Sequence, residues 1–557
     1  MSVRGRPGLG WEVGAGGRDP HECGRIGNAT SWATVTVARH RRGWRPGIPK
    51  NHRGARVAAT DTDSIRLPTS SAAPAEITPQ QSRVIWLLLV AAFVAILNET
   101  TMGVAIPSLI IDLNITAVAA QWLTTAFMLT MAVVIPITGF LLQRFTTRQV
   151  FIAAMTLFSI GTLAAFLSPG FPALVGARVI QASGTAIMMP LLMTTLMTIV
   201  PPHQRGRMMG RVSIVMALAP AIGPTMSGII LDTLGWHWNF GIMLPIALVA
   251  LFVGARWITN LGETRRAPID VPSVILSAFG FGGLVFGLSQ IGGGGHSGPG
   301  AAAADAMSTT TFVASLVIGV VGLALFVWRQ LVKQRSDAAL LDLRVFRSRN
   351  FSISVAHLGI MSMAFFGAIT LLPLYLQDVR GVSALETGLI ILPGSLAMGF
   401  AGPFIGRIYD RWGTRVLLIP GSIVTSGMLW MYTTVGATTP IWLIVVLQSI
   451  LSLGLAMSFT PLFTASLASL QPRFYSYGSA VVGTVQQVAG AAGIALLITV
   501  MSSASAASDA GAVDERGTQT AYLIAALLSL PTILGAFLIR KPADDPAAPS
   551  GDAALAH

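Results

Sequence analysis

Few side chains in this sequence have both the type and the setting to do chemistry, and two stand apart. Glu99 lies well inside a long apolar run, about a dozen residues beyond Trp86. Of the 23 Asp/Glu, six fall within residues 1–83, and almost all the others sit in hydrophilic stretches or at the ends of apolar runs. Arg178 is the only cation set comparably deep in such a run. A charge in hydrocarbon costs about 2.5–3.5 kcal/mol on insertion scales, so it is retained where it faces a partner or a hydrated cavity. A carboxyl group there suits reversible protonation, and a neighbouring guanidinium tunes it or pairs with it. A purely structural pair is the competing role, and for Arg178 both roles stay open.

Other chemistries are poorly supplied. Cys23 is the single cysteine, which excludes intrachain disulfides and multi-cysteine metal sites. The eight histidines are scattered without metal-ligand spacing. The three lysines, Lys50, Lys333 and Lys541, do not follow glycine, so no phosphate-cradling GxxxxGK loop exists. Neither an enzyme nor a pump with its own nucleotide domain is expected, and no cofactor is implied.

The elements that must position Glu99 and Arg178 are apolar helices. Hydrophobic residues make up 53% of the 557-residue chain and charged residues only 11%, against about 25% in soluble proteins. Residues 1–83 form a basic tail without apolar periodicity, predicted to be disordered. From Val84 onward fourteen apolar runs follow, the first at about 84–107 and the last at about 520–540, each near the roughly 20 residues a spanning helix needs. With a cytoplasmic N-terminus, the inner loops and C-terminus carry 20 Lys/Arg and the outer loops two, Arg380 and Arg516. That bias is the positive-inside signal, with both termini cytoplasmic, and it explains the net charge of +13 without nucleic acid. The expected organisation is a tail (1–83), a six-helix bundle (84–259), a linker with spans 7 and 8 (260–338), a second bundle (339–540) and a cytoplasmic tail (541–557).

A repeat supports the two bundles. Gly139-Phe-Leu-Leu-Gln-Arg144-Phe-Thr-Thr-Arg148 aligns with Gly406-Arg-Ile-Tyr-Asp410-Arg411-Trp-Gly-Thr-Arg415 at constant offset, one copy after span 2 and the other after span 10. Parallel repeats of this kind build transporters whose halves rock about a central site.

These motifs carry a resemblance. The Gly406…Asp410-Arg411-Trp-Gly413…Arg415 loop resembles the signature loop of the major facilitator superfamily. Arg178-Val-Ile-Gln181-Ala-Ser-Gly184 is similar to the span-4 motif of its drug antiporters, and Ala219-Pro-Ala-Ile-Gly223-Pro224-Thr-Met-Ser227-Gly228 to their span-5 motif. Trp236-His-Trp238 and Leu372-Pro-Leu-Tyr375-Leu-Gln377 look like the fourteen-span drug:proton antiporter subgroup, and Asn98-Glu99-Thr100 like its lincomycin-exporter branch. Two departures occur: Gln143 stands where the first loop usually has Asp, and Asn98 where many relatives have Asp.

The resemblance implies an all-α, major-facilitator-type membrane protein of fourteen transmembrane helices. It implies proton-coupled efflux of small amphipathic compounds across the cytoplasmic membrane, with the proton gradient as energy source. Glu99 and Arg178 would couple the proton, and Asn98, Gln121, Gln181, Gln486 and Gln487 would line the cavity, helix–helix hydrogen bonding being the rival role for the glutamines. Gly139, Arg144, Arg148, Gly223, Pro224, Gly228, Gly406, Asp410, Arg411 and Arg415 would serve the conformational change. A nutrient symporter on the same fold, or a membrane sensor, are the rival functions. Partners would be a small molecule, protons and the bilayer; the oligomeric state stays open, with a monomer the working expectation.

Overall fold

The computed structural model describes residues 77–540 apart from 116, 259, 261–269, 292–300, 337–338 and 507–513. Of the tails expected at 1–83 and 541–557, residues 1–76 and 541–557 lie outside the described residues, and α1 already begins within the first. The fold is all-α, with no strand among the described residues. In chain order the helices are α1 (Pro79–Asp112), α2 (Ala117–Arg144), α3 (Thr147–Phe166), α4 (Phe171–Ile199), α5 (Arg205–Leu234), α6 (Trp238–Trp257) and α7 (Val271–Ile291). They continue with α8 (Ala301–Lys333), α9 (Arg349–Leu374), α10 (Ala384–Trp412), α11 (Arg415–Tyr432), α12 (Ile441–Ala468), α13 (Tyr475–Ala506) and α14 (Glu515–Leu538).

Thirteen of them are long and apolar enough to cross a membrane. The exception is α11, which has 18 residues and opens on a charged residue, Arg415. Large side chains such as Phe252, Phe400 and Leu534 are at least 70% exposed on the outer surface, as expected of faces turned to lipid.

Local chemistry sets the helix ends. α1 begins five residues before the expected Val84 because Pro79 fits the first turn and Thr78 and Gln81 form a capping box. Their side chains satisfy each other's backbone N–H at 3.3 and 3.0 Å. The same box, Thr146 with Gln149, starts α3 inside the first signature loop. α10 stops at Gly413, whose φ of +81° reverses the chain, so the glycine of the second loop is a helix terminator.

Helices α1–α6 pack among themselves, as do α9–α14. The two sets meet chiefly along α5 against α10, with α13 against α2 and α4, and α12 against α5. α7 and α8 form a hairpin whose α7 lies on both α2 and α13. Asp270, just before α7, receives two hydrogen bonds from Arg329 of α8, at 2.7 and 2.9 Å. Gln330 then accepts from the backbone N–H of Leu340 and Leu341, tying the hairpin to the segment leading into α9.

Candidate functional site

The helical rise places Glu99 and Arg178 at one depth. Glu99 is seven residues from the end of the apolar part of α1 (Pro79–Ile106), and Arg178 seven residues into α4. Both are therefore about 10 Å from the face opposite the one where α1 begins. α1 packs on α4, and the two charges lie within Coulombic reach of one another. They do not form the direct pair that the spacing made feasible. The Arg178 guanidinium, 1% exposed, donates to Gln181 Oε1 at 2.7 Å and sits 4.0 Å over the Phe127 ring. Glu99 stays half-buried, without a direct bridge to that arginine.

Gln181 is fully buried, not on a cavity wall: besides accepting from Arg178, it donates to Thr162 Oγ1 of α3 at 2.8 Å. Asn98 is 1% exposed, and neither its amide nitrogen nor its amide oxygen has a protein partner. Gln486 and Gln487 are half-buried in α13, about 17 Å along that helix from Tyr475. Gln121 falls in α2, with its side chain outside the described residues.

The α5 motif packs directly on the turn that carries Glu99. A Cβ added to Gly223 would overlap Thr100 Oγ1, and the Ser227 hydroxyl donates to Thr101 O at 3.0 Å. Pro220 and Pro224 lie inside α5, removing two backbone donors beside this contact. Gly228 faces open space, so it takes no part in the close approach.

The two signature loops act across the bundle interface, and differently. Asp410, at the end of α10, accepts from the backbone N–H of Gly206 at 2.7 Å and of Arg207 at 2.8 Å. A carboxylate on the first turn of α5 satisfies otherwise free donors and meets the positive end of the helix dipole. Gly206 and Gly406 permit this approach, since a Cβ on Gly206 would come within 2.5 Å of Gly406 O and Asp410 Oδ1. Gln143, in the corresponding place on α2, instead donates to Arg473 O at 2.8 Å and Ser476 Oγ at 3.0 Å at the start of α13. Gly139 lies beside it, with Ala480 and Tyr477 about to crowd any added Cβ at 3.2 Å. Arg415 donates to Phe537 O of α14 at 2.7 Å, Arg144 and Arg411 lie over the neighbouring rings of Phe145 and Trp412, and Arg148 is exposed.

Three further bonds join the two helix sets toward the same face, and sequence reasoning missed all of them. Arg205 donates to Tyr475 Oη at 3.2 Å, Thr194 pairs with Ser479 at 2.8 Å, and Ser213 with Thr460 at 2.6 Å. No spacing along one helix could reveal partners more than 240 residues apart. The α5–α10 seam loosens away from this face. Where Gly210 and Gly402 leave no room for a Cβ, Gly399 would meet Ala217 at 3.6 Å and Gly388 would meet Thr225 only at 4.0 Å.

Two helix bundles closed on each other at one face and slack toward the other, with a buried guanidinium and a half-buried carboxyl at one depth among apolar helices, define a polytopic membrane transporter. The family profile described as Major Facilitator Superfamily matches residues 88–494, and the chain belongs to that superfamily. It is 41% identical over 469 residues to the uncharacterized MFS-type transporter YcnB of Bacillus subtilis, covering 83% of this chain and 96% of that protein. It is 38% identical to the lincomycin resistance protein LmrB of the same organism, covering 82% of this chain and 95% of LmrB. In fold it is similar to the human organic anion transporter MFSD10, with a TM-score of 0.58 at 14% identity, over 82% of this chain and all of that one.

Proposed function

We propose that the chain is a proton-coupled exporter of small amphipathic compounds in the cytoplasmic membrane, with both termini in the cytoplasm and Glu99 as the carrier of the coupling proton. The observation that carries this reading is the packing of α5 on the Glu99 turn through Gly223 and Thr100, because α5 is also the helix that Asp410 holds at the bundle interface. A change of charge at Glu99 thereby reaches the gate through one continuous helix. Residues 84–259 and 339–540 are the two rocking units, and 260–338 links them. In this orientation the latched face is cytoplasmic, and the looser α5–α10 seam toward the other face supports an outward-facing conformation. Gln486 and Gln487 contribute polar groups to the substrate path, while the buried Asn98 keeps its unpartnered amide next to Glu99. The names of the LmrB relatives make lincomycin the first substrate to try.

The test uses purified protein in proteoliposomes with an imposed pH gradient, substrate binding being measured separately. Glu99→Gln should abolish gradient-driven transport, by at least 100-fold, while binding falls less than threefold. Glu99→Asp should keep part of the coupling because it keeps the titratable group. Full gradient-driven transport by the Gln variant would leave Glu99 a structural neighbour of Arg178 and sink the reading.

A further inference from the structure

On the lipid-facing surface between α1 and α6 a groove of about 370 Å³ opens beside the start of α1. Its wall is almost wholly apolar, with Trp86, Val90 and Val249 among the lining residues, and Ser82, Arg83 and Trp257 at its outer end. From Ser82 to Val90 it runs about 12 Å along the helix, inward from the membrane edge. It is open along its length: Trp86 is 53%, Val90 45% and Val249 63% exposed. Such a trough covers a chain from one side only, unlike a site that encloses a drug-sized body.

Its mouth is cationic. The Arg83 guanidinium lies 5.9 Å from the Trp257 ring, and Arg211 of α5 lies 5.5 Å from the Trp86 ring. Neither arginine is paired with a carboxylate among the described residues. Tryptophans at this level mark the headgroup zone, where amphipathic rings settle. Two guanidiniums without a carboxylate partner, one beside each tryptophan of an apolar trough, match an amphipath with an anionic head and an alkyl chain; Arg211 also donates to Met208 Sδ at 3.4 Å.

We propose that this groove is a binding site for one anionic phospholipid of the adjoining leaflet, its acyl chain lying along Val90 and Val249 and its phosphate held by Arg83 and Arg211. The site is separate from Glu99 and stands whether or not the proton reading above is right.

Native mass spectrometry of the purified full-length protein, titrated with phosphatidylglycerol or phosphatidylcholine, tests it. Wild type should retain phosphatidylglycerol in preference to phosphatidylcholine. Arg83→Gln with Arg211→Gln should cut the phosphatidylglycerol adduct at least fivefold and leave phosphatidylcholine unchanged. Arg335→Gln with Arg347→Gln, at exposed positions elsewhere, removes the same charge and should have no effect. Arg83→Gln alone, also at an exposed position, should show an intermediate loss and guards against misfolding of the double variant. Val249→Trp should weaken binding by filling the trough. Unchanged phosphatidylglycerol binding in the arginine variants, or an equal loss in the charge-matched control, would overturn the proposal. So would displacement of the lipid by lincomycin, which would make the groove a substrate path.

Discussion

Gly223 of α5 meets Thr100 of α1 so closely that the glycine hydrogen occupies the only room beside the Thr100 hydroxyl. Thr100 sits next to Glu99 in sequence, and its hydroxyl is committed to Leu97 O at 3.0 Å. Any motion of this turn is therefore passed to α5 by direct contact, with no third residue between them.

Gly223→Ala should force the two helices apart, an overpacking cost of about 1–3 kcal/mol. Transport should fall at least tenfold, with a lower melting temperature. Thr100→Ala removes the hydroxyl oxygen that the new methyl group would strike, so the double variant should recover most of the loss. A double-mutant cycle in melting temperature and transport checks this; additivity of the two changes would mean that the contact does not couple the helices.

Asp410 and Gln143 occupy corresponding places in the repeat but hold their partner helices with different chemistry. Asp410→Ala deletes two charge-assisted bonds, each worth about 1.5–3 kcal/mol, and should shift the conformational balance toward opening at this face by tenfold or more. Gln143→Ala deletes neutral bonds worth about 1 kcal/mol and should shift it only a few-fold. Spin labels at the exposed His203 and Arg407, in a background lacking Cys23, report the separation as distance distributions. Equal populations in wild type and Asp410→Ala would mean that Asp410 does not hold this face closed.

Arg178 uses its planar group twice, against Phe127 and toward Gln181. Lysine keeps the charge but cannot stack and bond in this geometry, so Arg178→Lys should lose about tenfold in transport. Gln181→Leu leaves the guanidinium without its acceptor and should destabilise the protein by about 1.5–3 kcal/mol. Thermal unfolding in detergent reads the second effect directly, and wild-type activity of the lysine variant would refute the first.

Burial would push the Asp270 carboxyl up, but the Arg329 and Ser273 hydrogen bonds and the nearby charges of Arg329 and Lys333 hold it below the usual carboxylate range. A carboxyl depressed in the folded state stabilises fully above its ordinary pKa and loses that contribution as pH falls through the depressed value. Wild type should therefore hold its melting temperature from pH 7 to about 5 and lose part of it below about 4. Asp270→Asn should lower stability at pH 7 by about 1–2 kcal/mol, the pair being partly exposed, and flatten the acid limb. Identical acid limbs in the two proteins would show that Asp270 does not govern that loss.

The amino-acid sequence by itself determined the number and order of the helices, the repeat at Gly139 and Gly406, and the one carboxylate set deep in an apolar run. Those features depend on length, hydropathy and local capping, which are properties of a segment and its neighbours. The start of α1 was missed by five residues only because the apolar run, not the Thr78–Gln81 box, was taken as its limit. What faces what was decided by tertiary structure. Helices such as α4 and α12 are apolar nearly all round, so their sequences carry no stripe that names a packing face. Equal depth made a Glu99–Arg178 pair feasible, yet the packing of α2 on α4 sets Arg178 over Phe127, and Gln181, one turn along α4, takes its hydrogen bond instead. Likewise Asp410 and Gln143 looked like one motif with a substitution. Only the approach of α5 to α10 and of α2 to α13 shows that one carboxylate caps a helix while one amide donates to a carbonyl, since those contacts join residues hundreds of positions apart.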